Sequence, residues 1–349
     1  MGISKGILKF LLILLLIGVI LVLFVFGMRI YNSNKYKNYS AVGEEVNYRL
    51  PTDLGSYNLN IDGVEVVHIK GDYLNGFHLK PDEIQHKGVI ITFGGSEGSP
   101  SYEIASRLSQ DGYEVLSLFF FGMKNQQREL LRVPLEFFQE VLAYCEGNVE
   151  DDSVITVYGA SKGAELALNL AVRYSEINNI ILVAPAEFSY MGLSFSNREM
   201  QSSWTWEGIE VPFIDMAKGD AMEGIKMMFD MITGAPVAYR GSYESAAKGD
   251  PNREEARIKV ENTDANILLI AGTDDLMWQS DIAAESIYKQ RSENTEKLIY
   301  EGAGHIFFQD RYFNNGSMVL VLGGNLETNE EAGRESNIIL LERLEEWHK

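Results

Sequence analysis

One short segment constrains the fold more than any other part of this chain. Residues 153–168 read SVITVYGASKGAELAL and predict a strand, a G-x-S-x-G turn over 159–163 and then a helix. The two glycines of the turn remove Cβ atoms that would clash, and the helix directs its N-terminal N–H groups at the turn. The context indicates a nucleophile elbow with Ser161 as the candidate nucleophile. The alternative is an ordinary Gly-rich turn, since a chain with 32 glycines can contain the pattern by chance.

Composition limits both the fold and the partners. The chain has 349 residues, and its first part is unlike the rest, so roughly 300 residues remain for one large α/β domain or two small ones. The net charge of −20 argues against nucleic acid and against electrostatic binding to anionic lipid. The single cysteine, Cys145, excludes an internal disulfide, and its apolar helical setting predicts burial. No metal-spaced His/Cys cluster or nucleotide-binding glycine motif is present, so no metal or cofactor is predicted.

An apolar segment near the N-terminus predicts a membrane anchor. Residues 10–27 form an uninterrupted run of 18 uncharged residues, which is long enough to cross a bilayer as a helix. The run is too long for a typical cleaved signal peptide, and no good cleavage site follows it, so an uncleaved signal anchor is favoured. We therefore divide the chain into a transmembrane anchor over 1–30, a linker over 31–60 and an α/β domain over 61–349.

The charges on either side of the anchor leave its orientation open. Lys5 and Lys9 precede the apolar run, and Arg29, Lys35 and Lys37 follow it. An N-terminal anchor most often leaves its short tail inside, which predicts an extracytoplasmic globular domain. The basic residues after the run argue weakly for the opposite side.

Strand-like and helix-like segments alternate beyond the linker. Two alternating segments around Gly71 predict a hairpin, and the later strands are continuous apolar runs between helices. This order predicts an α/β fold with a mostly parallel central sheet covered by helices on both faces. A cap insertion over about 187–260 interrupts the alternation. The predicted strands are 63–69, 74–79, 88–93, 113–118, 153–158, 180–183, 266–271 and 297–300, and the predicted helices include 102–110, 135–145 and 338–347.

A serine nucleophile needs a base and a group that orients the base, and both should follow strands at the same edge of the sheet. Asp275 follows the strand over 266–271, and His305 follows the strand over 297–300. The chain order Ser, Asp, His is that of α/β hydrolases. Asp275 is preferred as the acid, with Asp274 as the alternative. The remaining histidines are interpreted as structural or solvated: His68, His78, His86 and His348.

The same edge of the sheet offers backbone donors for an oxyanion. The residue after a nucleophile usually supplies one N–H, here that of Lys162, and the loop after the third strand supplies the other. That loop is the segment 94–98, GGSEG, in which Gly95 and Ser96 are the candidate donors. A plain Gly-rich loop is the alternative interpretation.

The cap insertion is rich in methionine and aromatic residues. Methionine side chains fit irregular apolar ligands, so one interpretation is a lid that lines an acyl pocket. The equally favoured alternative is that these residues form a core within the cap itself. The residues concerned are Trp204, Trp206, Phe213, Met222, Met227, Met228, Phe229, Met231 and Ile232.

The elbow also resembles that of a known family. Residues 159–168 resemble the pattern G-x-S-K-G-A-E-L-A-L of the acyl-CoA thioesterase / bile acid-CoA:amino acid N-acyltransferase C-terminal domain, in which Ser or Cys is the nucleophile. The resemblance extends over about 60–348. It rests on three further segments: 133–138 (VPLEFF), 258–261 with 267–280 (ILLIAGTDDLMWQS), and 302–305 (GAGH) with 322–325 (LGGN).

The resemblance implies an α/β-hydrolase fold of the dienelactone-hydrolase-like kind, with Ser161, Asp275 and His305 as the triad. It implies a small-molecule acyl ester or thioester as the substrate, cleaved through an acyl-serine intermediate. Eukaryotic members carry an N-terminal β-sandwich domain, for which the linker over 31–60 is too short. The predicted function is a membrane-anchored serine hydrolase whose second partner is the lipid bilayer. The alternatives are acyl transfer to an amine and a non-catalytic binding protein with this fold.

Overall fold

The computed structural model describes residues 5–39, 51–194 and 200–349. Within them the strands are β1 (Val64–Lys70), β2 (Asn75–Pro81), β3 (Val89–Phe93), β4 (Glu114–Leu118), β5 (Val133–Pro134), β6 (Ile155–Ala160), β7 (Ile177–Val183), β8 (Trp204–Trp206), β9 (Ile209–Glu210), β10 (Asn266–Gly272), β11 (Thr295–Tyr300), β12 (Tyr312–Asn314) and β13 (Val319–Val321). The helices are α1 (Lys5–Lys35), α2 (Tyr102–Gln110), α3 (Phe137–Asn148), α4 (Lys162–Ala171), α5 (Ala221–Thr233), α6 (Arg240–Gly249), α7 (Arg253–Ala256), α8 (Ser280–Gln290) and α9 (Leu326–Trp347).

Eight strands form the central sheet in the order β1-β2-β4-β3-β6-β7-β10-β11. The hairpin β1–β2 and the pair β2–β4 are antiparallel, and the pairs from β4 to β11 are parallel. Every residue of β3 and β4 is buried, as expected for parallel strands covered on both faces. The predicted mostly parallel sheet and its hairpin are confirmed.

Helices cover both faces of this sheet and form two apolar cores. On one face Phe138 of α3, Leu166 of α4 and Ile287 of α8 join the apolar side chains of the strands. On the other face Leu108 of α2 and Leu340 of α9 do the same. Each fully buried side chain of this size contributes about 1.5–3 kcal/mol to folding. The two cores therefore hold the parallel strands, and the loops at their carboxyl ends, in fixed positions.

The closing helix is longer than its apolar pattern predicts. The predicted helix covers 338–347, whereas α9 begins at Leu326. Its first turns are polar, so hydrophobic periodicity does not reveal them, but Asn325 caps the helix with its side chain. Asn329 is buried in this polar part, and its amide group donates to Gln309 O at 2.7 Å and accepts from Gly304 N–H at 2.8 Å.

The cap insertion packs on the domain through polar and aromatic groups, but its methionine-rich helix does not. Trp204 of β8 is fully buried, and β8 joins β5 and β9 in a small sheet. Tyr190 and Trp278 stack in a further cluster. In contrast, α5 exposes most of its large apolar side chains, so neither sequence-based interpretation describes it. These side chains lie outside both an interior core and a closed pocket.

The N-terminal helix continues beyond the apolar run and then contacts the domain. It ends at Lys35, five residues after the predicted limit of the anchor. Asn32 donates to Thr233 O at 3.1 Å, at the end of α5. Asn314 of β12 donates its side-chain N–H to Tyr36 O at 3.1 Å, and the ring centroids of Tyr36 and Tyr312 lie 5.0 Å apart. The first part of the predicted linker is therefore helical and packed, while residues 40–50 lie outside the described part.

Candidate active site

Ser161 stands between the end of β6 and the start of α4, as the elbow pattern predicts. Its backbone has φ 55° and ψ −118°, a conformation that non-glycine residues rarely adopt. A Cβ atom at Gly159 would overlap Gly163 O, and one at Gly163 would overlap Gly94 O, so both positions require glycine. The Ser161 N–H donates to Val183 O at 2.8 Å, which fixes the turn to the neighbouring strand.

His305 reaches Ser161 from the loop after β11. Its Nε2 lies 3.0 Å from Ser161 Oγ, and its Nδ1 lies 2.8 Å from Asp275 Oδ2. The backbone N–H of His305 donates to Leu322 O at 2.9 Å, which holds the loop in place. His305 is 6% exposed, and Asp275 is fully buried, whereas Ser161 is partly exposed. The hydroxyl is therefore reachable from solvent, while the groups behind it are protected from water.

The Asp275 carboxylate is held by more than the imidazole. Its Oδ2 also accepts from Ser280 Oγ at 2.5 Å, and its Oδ1 accepts from the N–H groups of Met277 at 2.9 Å and Trp278 at 3.2 Å. A carboxylate with several donors can remain buried and charged. These contacts fix both the position of the carboxylate and the direction in which it faces His305.

Asp274, the alternative acid in the sequence, points elsewhere. Its Oδ2 lies 2.7 Å from Arg311 Nη1 and accepts from the Gly324 N–H at 2.9 Å. Of the two adjacent carboxylates, only that of Asp275 contacts His305 among the hydrogen bonds of the described residues.

The candidate oxyanion donors lie around Ser161, but one of them is occupied. A Cβ atom built on Gly95 would lie 3.3 Å from Ser161 Cβ, so the Gly95 backbone is adjacent to the nucleophile. The Gly95 N–H donates to Glu97 Oε1 at 3.0 Å, within a turn that also contains Ser96. Lys162 is the first residue of α4, so its N–H has no intrahelical acceptor. Sequence reasoning missed Glu97, although a carboxylate in a glycine-rich loop is a visible signal.

The Lys162 side chain makes a second contribution, which was not predicted from the sequence. Its Nζ is buried and lies 2.8 Å from Glu165 Oε2 and 2.9 Å from Ser203 Oγ. Glu165 Oε1 accepts from Tyr190 N–H at 3.0 Å and from Trp204 Nε1 at 2.6 Å. Burial lowers the pKa of Lys162 and raises that of Glu165. This network joins the elbow helix to the cap, and the consecutive letters K-G-A-E of the elbow were its sequence signal.

The geometry defines a class of chemistry. A serine hydroxyl contacts an imidazole whose other nitrogen contacts a buried carboxylate, at the carboxyl ends of parallel strands. This set of groups can deprotonate a hydroxyl as the oxygen attacks a carbonyl carbon. Together with the sheet order, it defines an α/β hydrolase.

The family assignment follows from a match over just over half of the chain. Residues 133–313 match the family described as BAAT / Acyl-CoA thioester hydrolase C terminal. The chain belongs to this family, which comprises thioesterase-like or esterase-like hydrolases and acyltransferases. The family predicted from the sequence is therefore confirmed.

Two relatives agree with this assignment. The chain is 23% identical to acyl-coenzyme A thioesterase 1 of Mus musculus over 281 residues, which is 78% of this chain and 60% of the relative. It is 24% identical to the bile acid-CoA:amino acid N-acyltransferase of Mus musculus over 250 residues, which is 70% of this chain and 54% of the relative. The alignments with these two relatives thus cover between half and two thirds of the relatives' own length.

The solved structure of a carboxyl esterase supports the fold, and a second solved structure is similar over most of the chain. Carboxyl esterase 2 of Tuber melanosporum has a TM-score of 0.50 at 14% identity, covering 82% of this chain and 88% of that protein. The Pyrococcus furiosus esterase Pf2001 has a TM-score of 0.47 at 16% identity, covering 89% of this chain and 97% of that protein. The predicted α/β-hydrolase fold is confirmed.

Proposed function

We propose that this protein is a membrane-anchored serine hydrolase that cleaves an acyl ester or thioester through an acyl-serine intermediate. The observation that carries the proposal is the continuous contact from Ser161 Oγ through His305 to Asp275. The serine in this chain of contacts has φ 55° in the turn before α4, a backbone conformation that a protein using the fold only for binding does not need.

The proposed reaction has two steps. His305 Nε2 takes the proton from Ser161 Oγ as that oxygen attacks the carbonyl carbon, and it then gives the proton to the leaving alcohol or thiol. Water repeats the attack on the acyl-serine, and His305 again acts as base and then as acid. Asp275 holds the tautomer in which Nδ1 carries hydrogen, and it stabilises the imidazolium that forms.

The negative charge on the carbonyl oxygen needs donors in each step. The backbone N–H groups of Lys162 and Gly95 are the candidates, with Ser96 as a further one in the same turn. Glu97 accepts from the Gly95 N–H at 3.0 Å in this structure. We expect the substrate oxygen to displace the Glu97 carboxylate when it binds.

The substrate class comes from the relatives and is part of the proposal. Acyl-coenzyme A thioesterases and a bile acid-CoA:amino acid N-acyltransferase are both similar to this chain. The first supports hydrolysis of a thioester, and the second favours acyl transfer to an amine as the second candidate function. No cofactor enters either reaction as proposed.

The anchor is the other part of the proposal. Residues Lys9–Lys35 form a helix that is long and apolar enough to cross a membrane, and its apolar window is unburied in the described structure. Near an N-terminus, such a helix is also compatible with a signal sequence. We favour a single-pass anchor with the domain on the extracytoplasmic side, which protease accessibility in intact cells would test.

A covalent probe tests the nucleophile. The full chain in detergent should be labelled by a fluorophosphonate, Ser161→Ala should lose the label, and the matched control Ser106→Ala in α2 should keep it. Labelling of Ser161→Ala at the level of the unchanged protein would refute the proposal. A panel of p-nitrophenyl esters and acyl-CoA thioesters, with and without glycine as the amine acceptor, then separates ester hydrolysis, thioester hydrolysis and acyl transfer.

A further inference from the structure

Helix α5 carries an apolar face that nothing covers in the described structure. Met222, Ile225, Met228, Phe229 and Ile232 are all exposed, with Met222 67% and Met228 57% exposed. Their spacing of i, i+3, i+6, i+7 and i+10 places them within an arc of roughly 120° on one side of the helix. A contiguous exposed patch of this kind marks a surface that binds something apolar.

Both ends of α5 are attached to other elements, so the helix lies along the surface. At its start, the Asp220 N–H donates to Ser245 Oγ at 3.1 Å. At its end, Arg29 of α1 donates to Ile232 O at 3.3 Å, and Asn32 donates to Thr233 O at 3.1 Å. The exposed apolar face therefore belongs to a fixed helix.

The contact between α1 and the end of α5 shows how deep α5 would lie in a membrane that α1 crosses. The uncharged run of α1 ends at Met28, and Arg29 is the first charge after it. Arg29 and Asn32 are the residues that contact the end of α5. Charged and polar residues at the end of a spanning helix mark the boundary between hydrocarbon and water, where Tyr31 is also exposed. The end of α5 thus lies at this boundary.

We propose that α5 lies in the interfacial layer of the membrane that α1 crosses, with its apolar face in contact with lipid. This inference rests on the anchor of the proposed function. We infer lipid as the contact because the exposed apolar surface of α1 leads directly to the exposed apolar face of α5. Lys226 is the one basic residue of α5, and Asp230 pairs with it at 2.8 Å, so the contact is apolar rather than electrostatic.

Backbone hydrogen bonds connect the segment after α5 to the active site. Val237, four residues after α5, exchanges backbone hydrogen bonds with Val319 and Val321 of β13 at 2.8 and 2.9 Å. The next residue, Leu322, accepts from the His305 N–H at 2.9 Å. The site therefore lies on elements attached to the membrane-facing helix. An acyl ester or thioester that partitions into that leaflet is the substrate class that fits this arrangement.

Site-specific fluorescence tests the contact in the full chain. Cys145 is buried and burial raises the pKa of its thiol to about 12, so it should not compete for a maleimide. An environment-sensitive label is placed at Met228→Cys, at Val22→Cys in α1 as the positive control, and at the exposed Ile338→Cys of α9 as the negative control. Each is reconstituted in nanodiscs of phosphatidylcholine with or without brominated chains.

Bromine should quench the labels at 228 and 22 to a similar extent, by roughly half, and leave that at 338 nearly unchanged. Quenching at 22 with none at 228 would overturn the inference and leave the anchor standing. Absence of quenching at 22 would refute the anchor and with it this inference. Excimer emission from pyrene at 228 without bromine quenching would identify a second copy as the occupant and would also overturn the inference.

Substrate delivery has a separate readout. The variant I225Q/M228Q/F229Q is compared with the control I209Q/I282Q/I338Q, which removes three exposed isoleucines from other elements. We expect an activity loss of several-fold on an acyl ester carried in the same vesicles, with hydrolysis of a soluble p-nitrophenyl ester unchanged. An equal loss on both substrates in the α5 variant would overturn the delivery role. If the unchanged protein hydrolyses neither substrate, the proposed hydrolase function is refuted, while the quenching result remains valid.

Discussion

Two sets of hydroxyl, imidazole and carboxylate groups can be compared within the part of the chain that the structure describes. In one, His305 lies between Asp275 and Ser161; in the other, His78 Nε2 lies 2.9 Å from Glu114 Oε1 and its Nδ1 lies 3.0 Å from the Tyr144 hydroxyl. Both histidines are 6% exposed. The chemical groups and distances are nearly the same, so they do not distinguish a reactive site from a structural one.

The difference lies in the surroundings of the hydroxyl. Ser161 precedes the N-terminus of α4, where unpaired N–H groups favour negative charge. Tyr144 lies in the last part of α3, where the carbonyl groups disfavour it, and burial raises the pKa of its phenol. Under the proposed function, backbone position rather than the side-chain set determines which of the two hydroxyls acts as a nucleophile.

The largest expected effect is a loss of activity when a residue of the first set is replaced. The equivalent substitution in the second set should leave activity almost unchanged. Ser161→Ala or His305→Ala should lower kcat/KM by a factor on the order of 10⁴ or more, since the groups act as a unit. His78→Ala should change kcat/KM by less than about threefold. It removes the imidazole partner of the buried Glu114 Oε1, while Glu114 Oε2 keeps the Glu150 N–H, and should cost about 1–3 kcal/mol of stability. Steady-state kinetics measures the changes in kcat/KM, and urea unfolding measures the change in stability. Equal activity losses in both histidine variants would contradict the comparison.

The carboxylates provide the next test. Asp275→Asn should lower kcat by about 10³–10⁴ with little change in KM, because an amide cannot favour the required tautomer of His305 or stabilise its charge. The adjacent Asp274→Asn is the matched control, since Asp274 pairs with Arg311, and Glu114→Gln is the equivalent change in the second set. Both should retain kcat within about tenfold. A larger loss in Asp274→Asn would reverse the assignment of the acid.

A smaller effect on activity should follow from removing the charge of Glu97, which lies beside the candidate oxyanion donors. Glu97→Gln keeps the size of the side chain but removes a negative charge from the place where the oxyanion would form. We expect kcat/KM to rise by about three- to tenfold. A fall in kcat/KM would mean that the Glu97 carboxylate orders the loop, as its 2.5 Å contact with Ser99 Oγ would allow. The reactivity towards a fluorophosphonate provides a second measurement.

The smallest effect concerns a third buried histidine. His348 Nδ1 contacts Lys87 O at 2.5 Å, and its Nε2 contacts Thr156 Oγ1 at 2.7 Å. Burial lowers the pKa of His348 below its usual value of 6.5. The folded state therefore binds this proton less readily than the unfolded state. The resulting stability is present above about pH 6.5 and is lost as pH falls towards the folded pKa, by at most about 1.4 kcal/mol per pH unit.

His348→Gln should flatten that part of the pH–stability curve, measured by urea unfolding between pH 7 and pH 5. An unchanged slope would show that other groups cause the loss. Activity at pH 7 should stay the same, in contrast to any substitution at His305.

The sequence predicted the parts of the site that depend on spacing along the chain. Ser161, Asp275 and His305 each follow a strand of the same parallel sheet, so their order was sufficient to bring them together. The carboxylate of Glu97 in the glycine-rich loop is visible in the sequence, but its contact with the Gly95 N–H depends on the path of a single loop. The contact between His78 and Tyr144 was also not predicted, because it joins a strand to a helix 66 residues away.

The same limit applies to α5 and α9. The methionines of α5 predict either a lid that lines an acyl pocket or a core within the cap, because an apolar helical face usually packs against a ligand or against protein. The contacts of Arg29 and Asn32 show only where the end of α5 lies relative to α1. The start of α9 was missed because its buried residues include Asn329, whose role comes from hydrogen bonds rather than from hydrophobicity.

The ion pair of Lys162 and Glu165 has a consequence for how substrate reaches Ser161. Swinging the segment around Ser203 and Trp204 away from the elbow helix would strip this pair of two hydrogen-bonding partners. A hydrogen bond to a charged group contributes about 1.5–3 kcal/mol, so the loss of both would leave such an open conformation with less than about one molecule in a hundred. This part of the cap therefore stays packed on α4, and a substrate must reach Ser161 without displacing it.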